Sequence, residues 1–205
     1  MRIGTFLKQS LVDWEGKIAA VVFTKGCNLR CFYCHNPSLV LPELLSDFPD
    51  INTEEILKHL ESRKSFLDGV VITGGEPTLQ KNLKEFIIEI KKIPLAIKLD
   101  TNGTNSKLIK ELLEENLIDF IAMDIKNSLE EMSYKKISSN FSKTMLDNII
   151  ECADIIKNSN IPFQFRTTTV TSIHSAEIIE DLQKKFSPLS LQEERKLGKT
   201  LSDFL

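Results

Sequence analysis

Lys17-Ile18-Ala19-Ala20-Val21-Val22-Phe23-Thr24 runs straight into Lys25-Gly26-Cys27-Asn28-Leu29-Arg30-Cys31-Phe32-Tyr33-Cys34-His35-Asn36-Pro37. The first segment is a short apolar run rich in β-branched residues, as in a buried strand. The second places three cysteines within eight residues, spaced C-x3-C-x2-C. Three thiolates this close on one loop can wrap one metal centre but cannot readily pair with one another. Structural zinc asks for four protein ligands, and only His35 is at hand, directly after Cys34. A [4Fe–4S] cube normally takes one cysteine per iron, so three leave one iron open to an outside ligand. An open iron just past a strand is a catalytic arrangement, because α/β proteins place their sites at the C-terminal ends of parallel strands. A zinc loop and a chance cluster are the alternatives.

Further strand-like runs follow at Gly69–Thr73, Ala96–Asp100, Phe120–Lys126 and Pro162–Thr169, with a weaker one at Leu189–Glu193. Amphipathic stretches lie between them. Asn52 and Glu55 read as a capping box ahead of Ile56, Leu57 and Leu60. Apolar stripes at helical spacing are Leu83/Phe86/Ile87/Ile90, Leu108/Ile109/Leu112/Leu113, Met145/Ile149/Cys152/Ile156 and Ile178/Ile179/Leu182/Phe186. Cys152, on one of these stripes, reads as a small core residue. Alternating strands and helices predict a parallel sheet with right-handed crossovers. Five or six βα units fit the length and eight do not, which leaves a partial (βα)6 barrel or an open doubly wound sheet.

The 205 residues fit a single domain, 1–205, with the part from about 187 short and poorly defined. With 26 basic and 29 acidic residues the net charge is −3, which argues against a general nucleic-acid binder. No apolar run approaches the roughly 20 residues of a membrane helix. The N-terminus lacks a signal-peptide core. The expected setting is cytoplasmic, where a tight cysteine trio means metal or redox chemistry rather than disulfides.

C-x3-C-x2-C ahead of a βα repeat resembles the radical S-adenosylmethionine (SAM) superfamily. The wording Gly26 to Pro37, ending Cys34-His35-Asn36-Pro37, is similar to the glycyl-radical-enzyme activating enzymes. It is most like the activating proteins of anaerobic ribonucleoside-triphosphate reductase and also resembles pyruvate formate-lyase activating enzyme. The likeness runs from about Gly4 to about Leu201. It implies a partial barrel of parallel strands with outer helices, and a [4Fe–4S] cluster on Cys27, Cys31 and Cys34 whose open iron chelates SAM. One-electron cleavage of SAM would give a 5′-deoxyadenosyl radical that takes a hydrogen from a glycine of a partner enzyme. Reduced flavodoxin or ferredoxin is the implied electron donor. Two other readings stay open: a small-molecule radical SAM enzyme of the 7-carboxy-7-deazaguanine synthase type, and a non-catalytic metal-binding module.

Thr73-Gly74-Gly75-Glu76-Pro77 closes the second run; two glycines let a ligand approach the backbone, and Glu76 can accept from an ammonium group. A plain tight turn is the alternative. Leu99-Asp100-Thr101-Asn102-Gly103 closes the third run, and Asp124 and Lys126 alternate on one face of the fourth. They either meet a ligand or pair with each other. Arg166, among apolar neighbours in the fifth, suggests an anionic ligand or a bridge to a Glu on the helices. The resemblance implies SAM contacts from Tyr33, Gly74, Gly75, Glu76, Asp100, Thr101, Asn102, Asp124, Lys126 and Arg166. It also implies a monovalent cation held by Asp100, Thr101 and Asp124. Asp13, in Ser10–Gly16, reads as a turn residue, and His174 as a solvated loop histidine. No histidine follows His174, so a late-strand SAM contact of pyruvate formate-lyase activating enzyme has no counterpart.

Overall fold

The run that precedes the cysteines forms a strand buried on both faces, Ala19–Thr24, as continuous apolar runs do in parallel sheets. It is the second strand of the computed structural model, which describes residues 1–46, 49–194 and 199–204. The strands are β1 (Ile3–Ser10), β2 (Ala19–Thr24), β3 (Gly69–Gly74), β4 (Ala96–Thr101), β5 (Phe120–Asp124), β6 (Phe163–Thr169) and β7 (Leu189–Glu193). They lie side by side in chain order. β2 to β7 are parallel throughout, and β1 is antiparallel to β2. Among the described residues β1 and β7 each pair on one side only, so the barrel stays open between them. This is the expected partial (βα)6 barrel, with one added strand. The weak run at Leu189 is its sixth parallel strand.

Helices α1 (Pro37–Val40), α2 (Thr53–Arg63), α3 (Leu83–Lys91), α4 (Ser106–Glu114), α5 (Glu131–Lys135), α6 (Lys143–Lys157) and α7 (Ala176–Lys185) fill the crossovers. Each of the four sequence stripes contributes to the core: α3 buries all four of its residues, while Leu108, Leu113, Met145, Ile178 and Ile179 are half-buried. The expected capping box is a plain cap, because the Asn52 side-chain oxygen accepts from the Glu54 N–H at 2.8 Å and not from Glu55. Cys152 is fully buried, as expected of a core residue.

The two faces of the sheet do different jobs. Val22, Ile72, Leu99, Met123 and Phe165 face the helices in the main core. Ala19, Val21 and Val71 point inward onto Trp14, with Phe120 beside them. Trp14 sits on the Ser10–Gly16 turn and closes the N-terminal end of the barrel. That turn is itself tied down, since the Lys98 ammonium donates to the Asp13 carbonyl at 2.6 Å. With one end closed, the open cavity lies at the strands' C-terminal ends.

The last described turn packs unexpectedly well. The part from 187 onward was expected to be poorly defined; residues 195–198 and 205 lie outside the described residues. Beyond them, Leu201 is fully buried against Val40, Leu41, Cys27 and Cys34. The Leu201 N–H donates to the Cys34 carbonyl at 3.0 Å and the Ser202 N–H to the Phe32 carbonyl at 2.9 Å. This turn therefore seals the outer side of the cysteine loop. Leu201→Ala is expected to cost about 2–5 kcal/mol, the usual range for emptying a buried leucine site. In iron-free protein it should also speed alkylation of Cys34, with Cys152 remaining protected as the internal control. Unchanged Cys34 labelling would show that the turn shields nothing.

Candidate active site

A cavity of about 220 Å³, partly open to solvent, is lined by Cys27, Cys31, Tyr33, Cys34, His35, Gly74, Gly75, Glu76, Asp100, Thr101, Asn102, Asp124, Lys126 and Arg166, among others. Every candidate named from the sequence reaches this one space. The agreement follows from topology: all but Arg166, which lies mid-strand in β6 beside Asp124, sit at or beyond the C-terminal end of β2, β3, β4 or β5, and parallel strands bring those ends together.

The cysteine loop is held from several sides. Gly26 adopts φ +92°, a left-handed turn suited to glycine, at the point where β2 breaks into the loop. The Arg30 guanidinium donates to the carbonyls of Cys27 (2.6 Å) and Leu29 (2.9 Å). The Arg30 N–H donates to the Ser138 hydroxyl at 2.6 Å, and Asn140 donates to the Asn28 carbonyl at 2.8 Å. Asn102 donates to the Asn28 side-chain oxygen at 3.0 Å, joining the loop to the end of β4. Sequence reasoning missed Ser138 and Asn140, which lie more than 100 residues from the loop.

Burial pushes the Cys27 thiol up to about 12 and the Cys31 thiol up to about 11. Both would ionise only beside a compensating positive charge, which bound metal supplies. Among the described residues no three His, Cys, Asp or Glu side chains gather closely enough to hold a single metal ion. The thiols instead border a shared space, as suits a multi-iron cube better than one zinc. The Tyr33 hydroxyl and the His35 Nε2 are buried without a hydrogen-bond partner. Such orphans are rare unless a ligand or solvent satisfies them. Thiols, orphaned polar atoms and a glycine-lined wall together fit a cluster carrying an organic ligand.

The glycines are shaped by close approach. Gly74 has φ +116°. A Cβ on Gly75 would run into the Gly26 carbonyl, 2.7 Å from its carbon, and into the Leu39 oxygen at 3.2 Å. These are backbone atoms and cannot swing aside. Gly75→Ala should therefore part β3 from the cysteine loop, lowering both the melting temperature and the iron retained after reconstitution. A variant matching the parent in both would refute the steric reading.

Glu76 lines the cavity and also joins two strand ends. Its Oε1 accepts from the Thr78 N–H (3.1 Å), the Thr78 hydroxyl (2.6 Å) and the Thr101 hydroxyl (2.8 Å), and its Oε2 from the Asn102 N–H (2.7 Å). Three of these donors share Oε1, and Oε2 keeps a lone pair for a further donor. Burial raises its affinity for a proton, and those donors offset part of the effect. Glu76 thus ties the end of β3 to the end of β4. Gly74 and Gly75 line the cavity beside it.

Asp100, Asp124, Arg166 and Lys126 form one ionic chain. Arg166 donates through Nη1 to Asp100 at 3.1 Å and through Nε to Asp124 at 2.9 Å. Lys126 Nζ lies 3.4 Å from Asp124, and buried Lys98 lies 3.6 Å from Asp100. Burial would raise the Asp124 carboxyl, but Arg166 and Lys126 outweigh it and hold it below its ordinary range. The three groups expected to hold a monovalent cation, Asp100, Thr101 and Asp124, line the same cavity and have protein partners. The Thr101 hydroxyl turns to Glu76, and Arg166 already bridges the two aspartates. Arg166 points inward, not toward a helix glutamate.

His174 corrects an expectation outright. It is buried, not solvated: its Nδ1 accepts from the Val170 N–H at 2.9 Å, and its Nε2 lies 2.9 Å from the Lys126 carbonyl. A buried histidine with two backbone partners leaves no periodic trace in a sequence. Asp13 stays in its turn, accepting from the Ser10 hydroxyl.

A profile of the radical SAM superfamily matches residues 21–184. A Methanocaldococcus jannaschii protein named as a glycyl-radical enzyme activating enzyme is 35% identical over 179 residues, covering 85% of this chain and 71% of that protein. The pyruvate formate-lyase-activating enzyme of Clostridium pasteurianum is 33% identical over 163 residues, covering 76% of this chain and 64% of the relative. Streptococcus suis SuiB superimposes with a TM-score of 0.67 at 15% identity, over 88% of this chain and 40% of SuiB, a likeness of fold alone. The chain belongs to the radical SAM superfamily, enzymes built around a [4Fe–4S] cluster and SAM. Its curated relatives in that superfamily include activating enzymes of glycyl-radical enzymes, and it spans about two thirds of the length of the two described above. Neither of those two is named for ribonucleotide reductase. Among the described residues no helix is long and apolar enough to cross a membrane.

Proposed function

We propose that this enzyme generates a glycyl radical on a partner enzyme, by reductive cleavage of SAM at a [4Fe–4S] cluster held by Cys27, Cys31 and Cys34. The observation that carries the reading is the convergence of the three thiols, the Gly74–Gly75 wall and the Arg166–Asp124–Lys126 chain on one cavity. Cys27, Cys31 and Cys34 would hold the cluster, whose chemistry when bound would be one-electron cleavage of SAM to methionine and a 5′-deoxyadenosyl radical able to take a hydrogen atom from the target glycine.

The protein's own groups bind and orient. Gly74 and Gly75 expose backbone to the amino-acid end of SAM. Lys126 and Arg166 place positive charge where the SAM carboxylate would lie, a charge that a monovalent cation would otherwise supply. Tyr33 and Asn102 border the same space. Leu201 and Trp14 exclude water from two sides. The open flank between β1 and β7 gives a flexible glycyl loop a way in.

The ending Cys34-His35-Asn36-Pro37 favours an activase over a small-molecule enzyme, the wording Gly26 to Pro37 is most like the activating proteins of anaerobic ribonucleoside-triphosphate reductase, and reduced flavodoxin or ferredoxin fits as donor. The relatives' names favour a pyruvate formate-lyase type partner. The experiment offers both partners, anaerobically, to the reconstituted and reduced enzyme with SAM. The expected result is a glycyl-radical resonance on one partner with one 5′-deoxyadenosine released per radical. Deoxyadenosine without a radical on either would point to a small-molecule substrate.

A further inference from the structure

Lys126 stands just beyond β5, past the last ladder pair with β6. An ammonium on free loop would sweep a wide arc and be a poor ligand. Here the backbone is pinned by a substitute ladder. The Ile125 N–H donates to the Arg166 carbonyl at 2.8 Å, and the Thr167 hydroxyl donates to the Ile125 carbonyl at 2.6 Å. One residue on, the Lys126 N–H donates to the buried Tyr134 hydroxyl at 3.2 Å. Its carbonyl faces His174 Nε2 at 2.9 Å.

The histidine is fixed from its other side. Its Nδ1 accepts from the Val170 N–H, so the ring proton sits on Nε2 and points at Lys126. Its own N–H donates to the Val170 carbonyl at 2.9 Å, making a tight turn between β6 and α7. The imidazole thus bridges two neighbouring strand ends, at the residue whose ammonium faces Asp124 and the cavity.

We infer that His174 is a positioning residue for Lys126: it holds the Lys126 backbone so that the ammonium meets the ligand at a fixed point. The inference rests on the reading of Lys126 as a SAM contact. Removing a partner that orients a ligand-binding group typically costs about tenfold or more in affinity.

The test measures SAM affinity of the cluster-loaded protein by equilibrium binding for the parent, H174A, H174Q, K126M and H174A/K126M. Amide hydrogen exchange at Val170 is followed in the iron-free protein. Glutamine carries one acceptor and one donor, so H174Q should keep Val170 protected and bind SAM nearly as the parent does. H174A should release Val170 and bind roughly tenfold more weakly. The double variant should bind no more weakly than K126M alone, because coupled residues are not additive. If the H174A and K126M losses multiply, or if H174A binds normally, His174 does not act through Lys126 and the inference fails. If K126M itself binds normally, Lys126 is not a SAM contact, and both readings fall together.

Discussion

Replacing Cys27, Cys31 or Cys34 singly by alanine will leave a folded protein that assembles no stable four-iron cluster and releases no 5′-deoxyadenosine from SAM. The loss should be essentially complete at each position. With only three thiolates on the loop, removing one leaves a second iron without protein ligand, and the free energy of cluster binding depends on the whole set. Folding should survive, because cysteine to alanine in this loop removes a single small atom from a segment already held by Arg30, Ser138 and Asn140. Cys152→Ala is the control. That thiol is fully buried on α6, outside the cavity lining, and its removal should leave iron content at the parent level. Iron and sulfide analysis beside deoxyadenosine release checks the set. A single loop variant that keeps both cluster and cleavage would remove the assignment at that position.

Arg166→Leu should have the next largest effect, on stability as well as on SAM binding. The guanidinium bridges Asp100 and Asp124 across three strands, and its loss leaves two carboxylates short of a partner. Breaking a buried pair from one side costs about 3–5 kcal/mol. Asp124 keeps 34% of its side-chain surface exposed, so screening moves the expectation to the lower end of that range. For a chain of this size each kcal/mol shifts the melting temperature by roughly 2–4 °C. The sign of the pH dependence follows from Asp124. Its native carboxyl is held below the ordinary range, so its contribution is present above the usual carboxylate value of about 4 and is lost as pH falls through the lower native value. The gap between parent and variant should therefore be widest at neutral pH and shrink in acid. Urea unfolding at several pH values measures it. Equal stability at neutral pH would show that the ionic chain contributes nothing.

The strand–helix alternation was legible because each parallel strand is a continuous apolar run and each helix carries a stripe, two periods that a sequence states openly. β1 was not. Only Ile3 is fully buried along Ile3–Ser10, so an antiparallel edge strand at the surface has neither an apolar run nor a clean alternation. α1 and α5, with four and five residues, are too short to show a helical period. The cavity residues were legible because the strand-end rule places them together without coordinates. What each group does there was not. The turn of Thr101 toward Glu76, the seizure of both aspartates by Arg166, and the burial of His174 are facts of distance between segments far apart in the chain. Leu201, flanked by Thr200 and Ser202, gives no local sign that it covers the cysteine loop.

The measurement that bears most directly on the central claim is electron paramagnetic resonance of anaerobically reconstituted, reduced protein, with and without SAM. The account predicts a reduced [4Fe–4S] signal that changes in shape and position when SAM is added, because three thiolates leave one iron open to it. A cluster signal indifferent to SAM, or zinc bound in its place, would contradict it.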